Sequence, residues 1–186
     1  MTIYQPIPCR ATKAAIQAAT EQYATLVGYT PGGDLRKTII DLGGHVLYRD
    51  LFQSVKSGRE SIHVRSESDF DVFLPIDTSP SRDRFTLAHE LAHLALHYPM
   101  VKKAHLNEPD VEMVADRFLP DSPPEELKRC EWEANWFAAA FLMPAGPFRK
   151  IWDQSNGNLH TLSQHFMVSP AAAENRIKSL KQAGQI

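Results

Sequence analysis

Residues 89–93 read His-Glu-Leu-Ala-His, so two histidines stand four residues apart and a glutamate directly follows the first. On an α-helix, where each residue turns by about 100°, His89 and His93 project from the same face, one turn apart. Two imidazole nitrogens placed in this way can bind one zinc ion at about 2.0–2.1 Å. Glu90 lies about 60° from His93 around the helix, where a general base for a zinc-activated water belongs. The pattern therefore predicts a catalytic zinc site.

The third protein ligand of this site has to come from another part of the sequence. An extension of the motif that adds a glycine and then a third histidine is excluded, because Leu96 and Pro99 occupy those two positions. The gluzincin arrangement instead takes a glutamate from a later helix. The predicted helix 129–143 offers Glu131 and Glu133. These two residues lie about 200° apart around a helix, so they cannot both face the metal.

Glu131 is the preferred third ligand. Asn135 lies four residues further along the same helix face, where its amide could orient a ligand histidine. Glu133 would then point away from the metal. Glu133 remains the alternative ligand, and Glu112 and Asp116 are more distant candidates.

Two residues just beyond the second histidine are candidates for supporting roles. His97 lies four residues after His93 and could approach the cleft. A histidine at a helix C-terminus also interacts favourably with the helix dipole and the last carbonyl groups. An oxyanion donor is expected in a peptidase, and His97 and Tyr98 are the candidates for that role.

The helix that carries the histidines has clear boundary signals. Ser79 is the predicted N-cap, Pro80 occupies the first helical position, and the helix is expected to stop at Tyr98, before Pro99. Its position is therefore predicted as 80–98.

The second site helix is predicted to start at a capping box formed by Ser122 and Glu125 and to end before Pro144. The intervening segment 99–121 is mixed in character and interrupted by proline. It predicts a long connection with one short helix around 109–117.

The remaining patterns predict an α+β fold. Segments 11–27 and 35–42 have helical spacing of apolar residues, whereas 45–50, 61–65 and 71–76 are short and rich in β-forming residues. We expect a small antiparallel sheet packed with helices, and a gluzincin-like zinc cleft between the two site helices. A zinc peptidase domain would span 1–150, and a helical tail over 151–186, resembling a helix-turn-helix, would pack on it.

Composition argues against several classes of protein. The formal net charge is −2, so the chain as a whole has no field that would attract nucleic acid. No stretch reaches the roughly 20 apolar residues that a membrane helix needs, and the first residues do not resemble a signal peptide. A cytoplasmic location is expected. Cys9 and Cys130 lie far apart and indicate neither a disulfide framework nor a thiolate zinc site.

Two stretches, RFTLAHELAHLALH and EWEANWFAAAFLMP, resemble the hallmark helices of the ImmA/IrrE-type metallopeptidases. Ala92 replaces a glycine that is common in that family, and a helix tolerates this change easily. The resemblance implies a zinc endopeptidase that cleaves a helix-turn-helix repressor or an antitoxin.

Two other functions remain open at this point. The protein could bind zinc and a partner without cleaving it, although such a protein has no need of Glu90. It could also bind DNA through the tail, where Arg176, Lys178 and Lys181 are basic. The basic residues are few and Glu174 interrupts them, so a nucleic-acid partner is not expected.

Overall fold

The computed structural model describes residues 2–50 and 59–186 and has the predicted α+β composition. In chain order, the elements are β1 (Thr2–Tyr4), α1 (Lys13–Leu26), α2 (Leu35–Asp41), β2 (Gly44–Arg49), β3 (Glu60–Ser66), β4 (Asp69–Pro75), α3 (Pro80–Ala92), a π-helical turn (His93–His97), α4 (Tyr98–Ala104), β5 (Val111–Asp116), α5 (Glu125–Leu142), α6 (Ala145–Gln154), α7 (Leu159–His165) and α8 (Pro170–Gln182). The α+β class is confirmed.

The five strands form one mixed sheet in the order β1-β5-β3-β4-β2. The three inner strands pair antiparallel, as β5 with β3 and β3 with β4, whereas β1–β5 and β2–β4 are parallel pairs. The predicted small antiparallel sheet is therefore correct for the inner strands, but the sheet as a whole is mixed. Parallel pairs join strands that are separated by other elements, and the local sequence of a strand does not identify a distant partner.

The strands predicted at 45–50, 61–65 and 71–76 are present as β2, β3 and β4. The short helix predicted around 109–117 is wrong, because strand β5 occupies that segment. Residues 112–115 of β5 are all buried, and because successive side chains point to opposite faces, both faces of this strand are covered. Burial on both faces removes the alternating pattern by which a strand is recognised.

The N-cap predicted at Ser79 is present, and two further helices start at side-chain caps that were not predicted. The side chains of Thr12, Ser79 and Ser169 accept hydrogen bonds from backbone N–H groups in the first turns of α1, α3 and α8. The capping box predicted for α5 is wrong. The residue before its first turn is Pro124, which makes no side-chain cap, and Glu125 and Glu126 instead place negative charge at this helix start.

The histidine helix does not stop at Tyr98. It widens into the π turn, where the Tyr98 N–H donates to the carbonyl of His93, and then continues as α4 to Ala104. Pro99 lies in the first turn of α4, directly after the π turn. The predicted end of the helix is therefore wrong, because the wider turn lets the chain pass the proline without a break.

Helices α3 and α5 pack against each other, and α1 packs against α5. Their shared core consists of buried apolar side chains, which include Ile16, Leu87, Leu91, Ala134, Phe137, Ala138 and Phe141. This packing fixes the two helices that carry the predicted site. Within residues 2–50 and 59–186, no helix is both long enough and apolar enough to cross a bilayer.

Candidate metal centre

Helices α3 and α5, with the π turn, bring together three side chains that can bind a metal ion. His89 Nε2 lies 3.3 Å from His93 Nε2 and 3.3 Å from Glu131 Oε2. Glu131 Oε1 lies 3.6 Å from His93 Nε2. Ligands held at 2.0–2.1 Å around a tetrahedral ion are about 3.3–3.4 Å apart. The donor types and their spacing therefore fit zinc.

The three side chains differ in exposure, and this gives the cluster an open side. The side chain of His93 is 1% exposed, that of His89 is 15% exposed and that of Glu131 is 29% exposed. Burial lowers the pKa of His93 well below its usual value, which leaves it in the neutral form that binds metal. Burial also acts to lower the pKa of His89, but the carboxylates of Glu131 and Glu90 outweigh it and raise that pKa.

Glu90 is almost fully buried beside this cluster. The Ser61 hydroxyl, which is also 3.2 Å from the Ala115 carbonyl oxygen, donates to Glu90 Oε2 at 2.9 Å. Burial raises the pKa of Glu90 to about 7, against the opposing effects of His89, Ser61 and Arg117. A carboxyl group with such a pKa can accept and return a proton near neutral pH. Sequence reasoning missed both the contact of Ser61 and the charge of Arg117, and their local sequence contains no signal of either.

His97 extends the histidine row into the protein interior. His97 Nδ1 lies 2.9 Å from His93 Nδ1, and His97 Nε2 lies 3.2 Å from Glu133 Oε2. Since His93 Nε2 faces the ligand cluster, its Nδ1–H donates to His97, and the Nε2–H of His97 donates to Glu133. His97 is therefore placed to orient a metal-facing histidine, a role that differs from the oxyanion donor considered from the sequence.

Glu133 is saturated with hydrogen-bond donors. The backbone N–H groups of Cys9 and Arg10 each donate to it at 2.9 Å, and Arg129 Nε donates at 2.8 Å. Burial alone would raise the pKa of Glu133, but the hydrogen bonds from His97, Arg129 and Cys9 lower it to about 2. Glu133 is thus a fixed anion that holds the N-terminal segment, and the structure places Glu131, not Glu133, at the histidine pair.

Asn135 and Tyr98, the other two candidates for supporting roles, have different surroundings. Asn135 Oδ1 lies 3.2 Å from His89 Nδ1, in the position from which it can orient that ligand. The hydroxyl of Tyr98 instead lies 3.1 Å from the carbonyl oxygen of Arg65 and 3.0 Å from that of Val111, and the residue is 3% exposed. Tyr98 therefore ties the helix to β3 and β5, and its hydroxyl is not directed at the metal cluster.

The more distant carboxylate candidates lie outside the cluster. Glu112 Oε2 is 2.6 Å from His63 Nε2, in a pair between β5 and β3. Asp116 ends β5 and pairs with Glu60 in the strand register. In the part of the chain that the structure describes, the only group of three or more potential metal ligands is His89, His93 and Glu131.

Comparison with known proteins identifies a family and a similar fold. The sequence model of a peptidase family, described as the IrrE N-terminal-like domain, matches residues 41–178. No curated protein matches the chain significantly. A solved structure of a Mycobacterium tuberculosis transcriptional regulator is similar with a TM-score of 0.57 at 17% identity, over 86% of this chain and 45% of that chain. This likeness is one of fold, and the chain spans less than half of the regulator's length. The family match covers both site helices and most of the sheet, and the chain belongs to the peptidase family of the IrrE N-terminal-like domain.

Proposed function

We propose that the protein is a zinc-dependent endopeptidase that hydrolyses a peptide bond in a partner protein, with a helix-turn-helix repressor or an antitoxin as its substrate. The observation that carries the proposal is the cluster of His89, His93 and Glu131, with contacts of 3.3–3.6 Å, next to the buried Glu90. Membership of a peptidase family supports the reaction class. The substrate class rests on the sequence resemblance.

The three ligand side chains would hold zinc with the help of their neighbours. A bound zinc ion supplies Lewis-acid chemistry, because it makes water more acidic and polarises a peptide carbonyl. Asn135 and His97 contact the Nδ1 atoms of His89 and His93 and so keep both Nε2 atoms directed at the ion. The partly exposed side of Glu131 leaves access for a peptide.

Glu90 carries the proton transfers of the hydrolysis. It accepts a proton from the attacking water as the oxygen bonds to the carbonyl carbon, and it delivers this proton to the amine nitrogen as the carbon–nitrogen bond breaks. Ser61 donates to Oε2 of the carboxylate, so Oε1 remains available for the proton. Burial of Glu90 keeps bulk water from competing for it.

The decisive variant is Glu90→Gln, which keeps the size of the side chain but removes the base. Zinc-loaded wild-type protein is incubated with the repressor-like product of a neighbouring gene, and fragments are identified by mass spectrometry. The variant should keep about one zinc per chain, while the cleavage rate falls by at least about 10²–10⁴. Glu174→Gln, an exposed change on α8, is the matched control and should cleave at the wild-type rate.

The same variant separates a peptidase from a zinc-bound regulator that does not cleave its partner. Suppose that, in cells, Glu90→Gln protein has the full effect of the wild-type protein on its partner, whereas His93→Ala protein has none. Zinc would then serve recognition or structure, and the peptidase proposal would be wrong.

A further inference from the structure

A cavity of about 760 Å³ lies beside the candidate metal centre, with walls from α1, α3, α5 and α8. Asn135, the residue that contacts the ligand His89, is part of its wall. Thr86 and Arg82 also line it, three and seven residues before His89 on the same helix. At 1.5 Å per residue, the cavity therefore extends over roughly 5–10 Å from the ligand.

The wall of this cavity is positively charged. Lys13, Arg82 and Arg176 line it, and the described lining residues include no aspartate or glutamate. Four serines add hydroxyl groups, and Phe85 and Trp136 provide an apolar part. This combination suits a ligand that has a negative end on an apolar stem.

Three helices begin at this cavity. Lys13 is the first residue of α1, while Ser79 and Ser169 are the N-caps of α3 and α8, and all three residues line the wall. The N-terminal end of a helix carries partial positive charge, so these helix starts add to the cationic side chains.

Arg176 gives independent evidence for an anionic ligand. It is 1% exposed, and its Nε donates to the Met143 carbonyl at 2.8 Å, but neither Nη1 nor Nη2 has a hydrogen-bond partner among the described residues. The amide nitrogen of Gln17, also in the wall, lacks a partner too. The nearest carboxylate oxygen, Glu21 Oε1, is 3.8 Å from Nη2 and already accepts from the Ala145 N–H at 2.7 Å.

A buried guanidinium with two unused amino groups is costly unless an anion completes its hydrogen bonds. Burial lowers the pKa of Arg176 to about 10, which leaves it charged at neutral pH. The two amino groups of a guanidinium match the two oxygens of a carboxylate, which makes a carboxylate the fitting ligand.

We infer that this cavity is a specificity subsite that binds the carboxylate of an acidic side chain in the peptide substrate. The inference rests on the proposed peptidase function. An extended peptide advances about 3.3 Å per residue, so the acidic residue would lie about two to three residues from the scissile bond. Phe85 and Trp136 would contact the methylene groups of that side chain.

The first test measures binding without cleavage. Glu90→Gln protein is titrated with blocked alanine-based hexapeptides that contain either one glutamate or one glutamine at the same position, and tryptophan fluorescence and calorimetry report binding. The glutamate peptide should bind about 10- to 100-fold more tightly, because charge-assisted hydrogen bonds are the strong ones. Adding Lys13→Glu with Arg82→Glu should abolish the difference.

Two further variants complete the binding test. Arg176→Met should also abolish the difference, and the Lys13 and Arg82 changes, which lie nearer the surface, keep the test valid if Arg176→Met does not fold. Lys178→Glu is the control. Lys178 lies on α8 like Arg176, but it is 64% exposed and outside the cavity wall, so this variant should retain the preference for glutamate.

Equal binding of the two peptides, or a preference that survives the charge reversal, overturns the inference. Glutarate that binds as tightly as the glutamate peptide also overturns it, in favour of a free organic acid.

The second test measures cleavage. Zinc-loaded wild-type protein acts on a library of peptides from a digested proteome, and mass spectrometry identifies the residues around each cut. Aspartate or glutamate should be enriched two or three residues from the cut, and the Lys13→Glu, Arg82→Glu variant should lose this enrichment. Cleavage without an acidic preference overturns the subsite and leaves the peptidase proposal intact. Absence of cleavage, with the glutamate preference in binding preserved, overturns the peptidase and with it the substrate role of the cavity.

Discussion

Two histidine–glutamate clusters lie about one helical turn apart, where the histidine helix packs against α5. They differ in the groups that contact each carboxylate. Glu131 is 29% exposed, and its oxygens lie 3.3 and 3.6 Å from the imidazoles of His89 and His93. The His97–Glu133 pair is fully buried, and Glu133 accepts hydrogen bonds from His97, Arg129 and the backbone of residues 9 and 10.

Histidine and glutamate therefore have different roles in the two clusters, and their surroundings determine these roles. Among the described residues, the contacts of Glu131 are with the imidazole nitrogens of His89 and His93 at 3.3 and 3.6 Å, so a metal ion can take the space between them. Glu133 has no such freedom, because its donors come from both the N-terminal segment and its own helix. The contact between His93 and His97 joins the two clusters. The buried His97–Glu133 pair can therefore orient His93 in the cluster of potential metal ligands.

The largest effect is expected for Glu133→Ala, which tests whether Glu133 anchors the N-terminal segment. The change leaves several buried donors without an acceptor, so we expect the metal-free protein to lose about 3–5 kcal/mol of unfolding free energy. Urea denaturation measures this loss. Glu126→Ala is the control on the same helix, where an exposed ion pair with Arg10 should contribute less than about 1 kcal/mol. Equal losses in the two variants would show that Glu133 does not anchor the N-terminal segment.

Glu131→Ala should have the complementary effect. Removing one of three protein ligands should weaken zinc binding by more than about 100-fold, since even changes beyond the ligands reduce affinity by 10- to 100-fold. Competition with a chelator measures this affinity, and the stability of the metal-free protein should change little. If Glu131→Ala keeps full zinc while Glu133→Gln loses it, the assignment of the third ligand is reversed.

A smaller effect is expected for His97→Leu, which cuts the contact between the two clusters. His93 would lose the acceptor of its Nδ1–H, and zinc affinity should fall by about 10- to 100-fold while the ligands stay in place. Chelator competition is again the measurement, and His160→Leu, at an exposed position on α7, is the control. An unchanged affinity would mean that His97 and Glu133 serve packing alone.

The parts of the site that the sequence predicted depend on local geometry. Helical spacing predicted that His89 and His93 project together, and the four-residue step from Glu131 to Asn135 favoured the glutamate that the structure places beside these histidines. The helix start at Ser79 was predicted because a cap and its N–H donor lie within one turn.

The parts that could not be predicted depend on distant partners. Ser61 and Glu90 are 29 residues apart in sequence, and Glu112 reaches His63 across a separation of 49 residues. Strand β5 is buried on both faces, so its short apolar segment has no period that distinguishes a strand from a helix. Pro99 indicated the end of a helix, and only the three-dimensional contacts show that the π turn carries the chain past it.

The π turn also limits how this centre could be transplanted into a designed protein. In a regular α-helix, His97 would be rotated by about 80° from His89, whereas a turn that takes more residues per revolution reduces this rotation. A helix bundle that copies residues 89–97 onto an ideal backbone would reproduce the His89–His93 spacing, but it would turn His97 away from its glutamate. A faithful mimic therefore has to copy the irregular backbone together with the side chains.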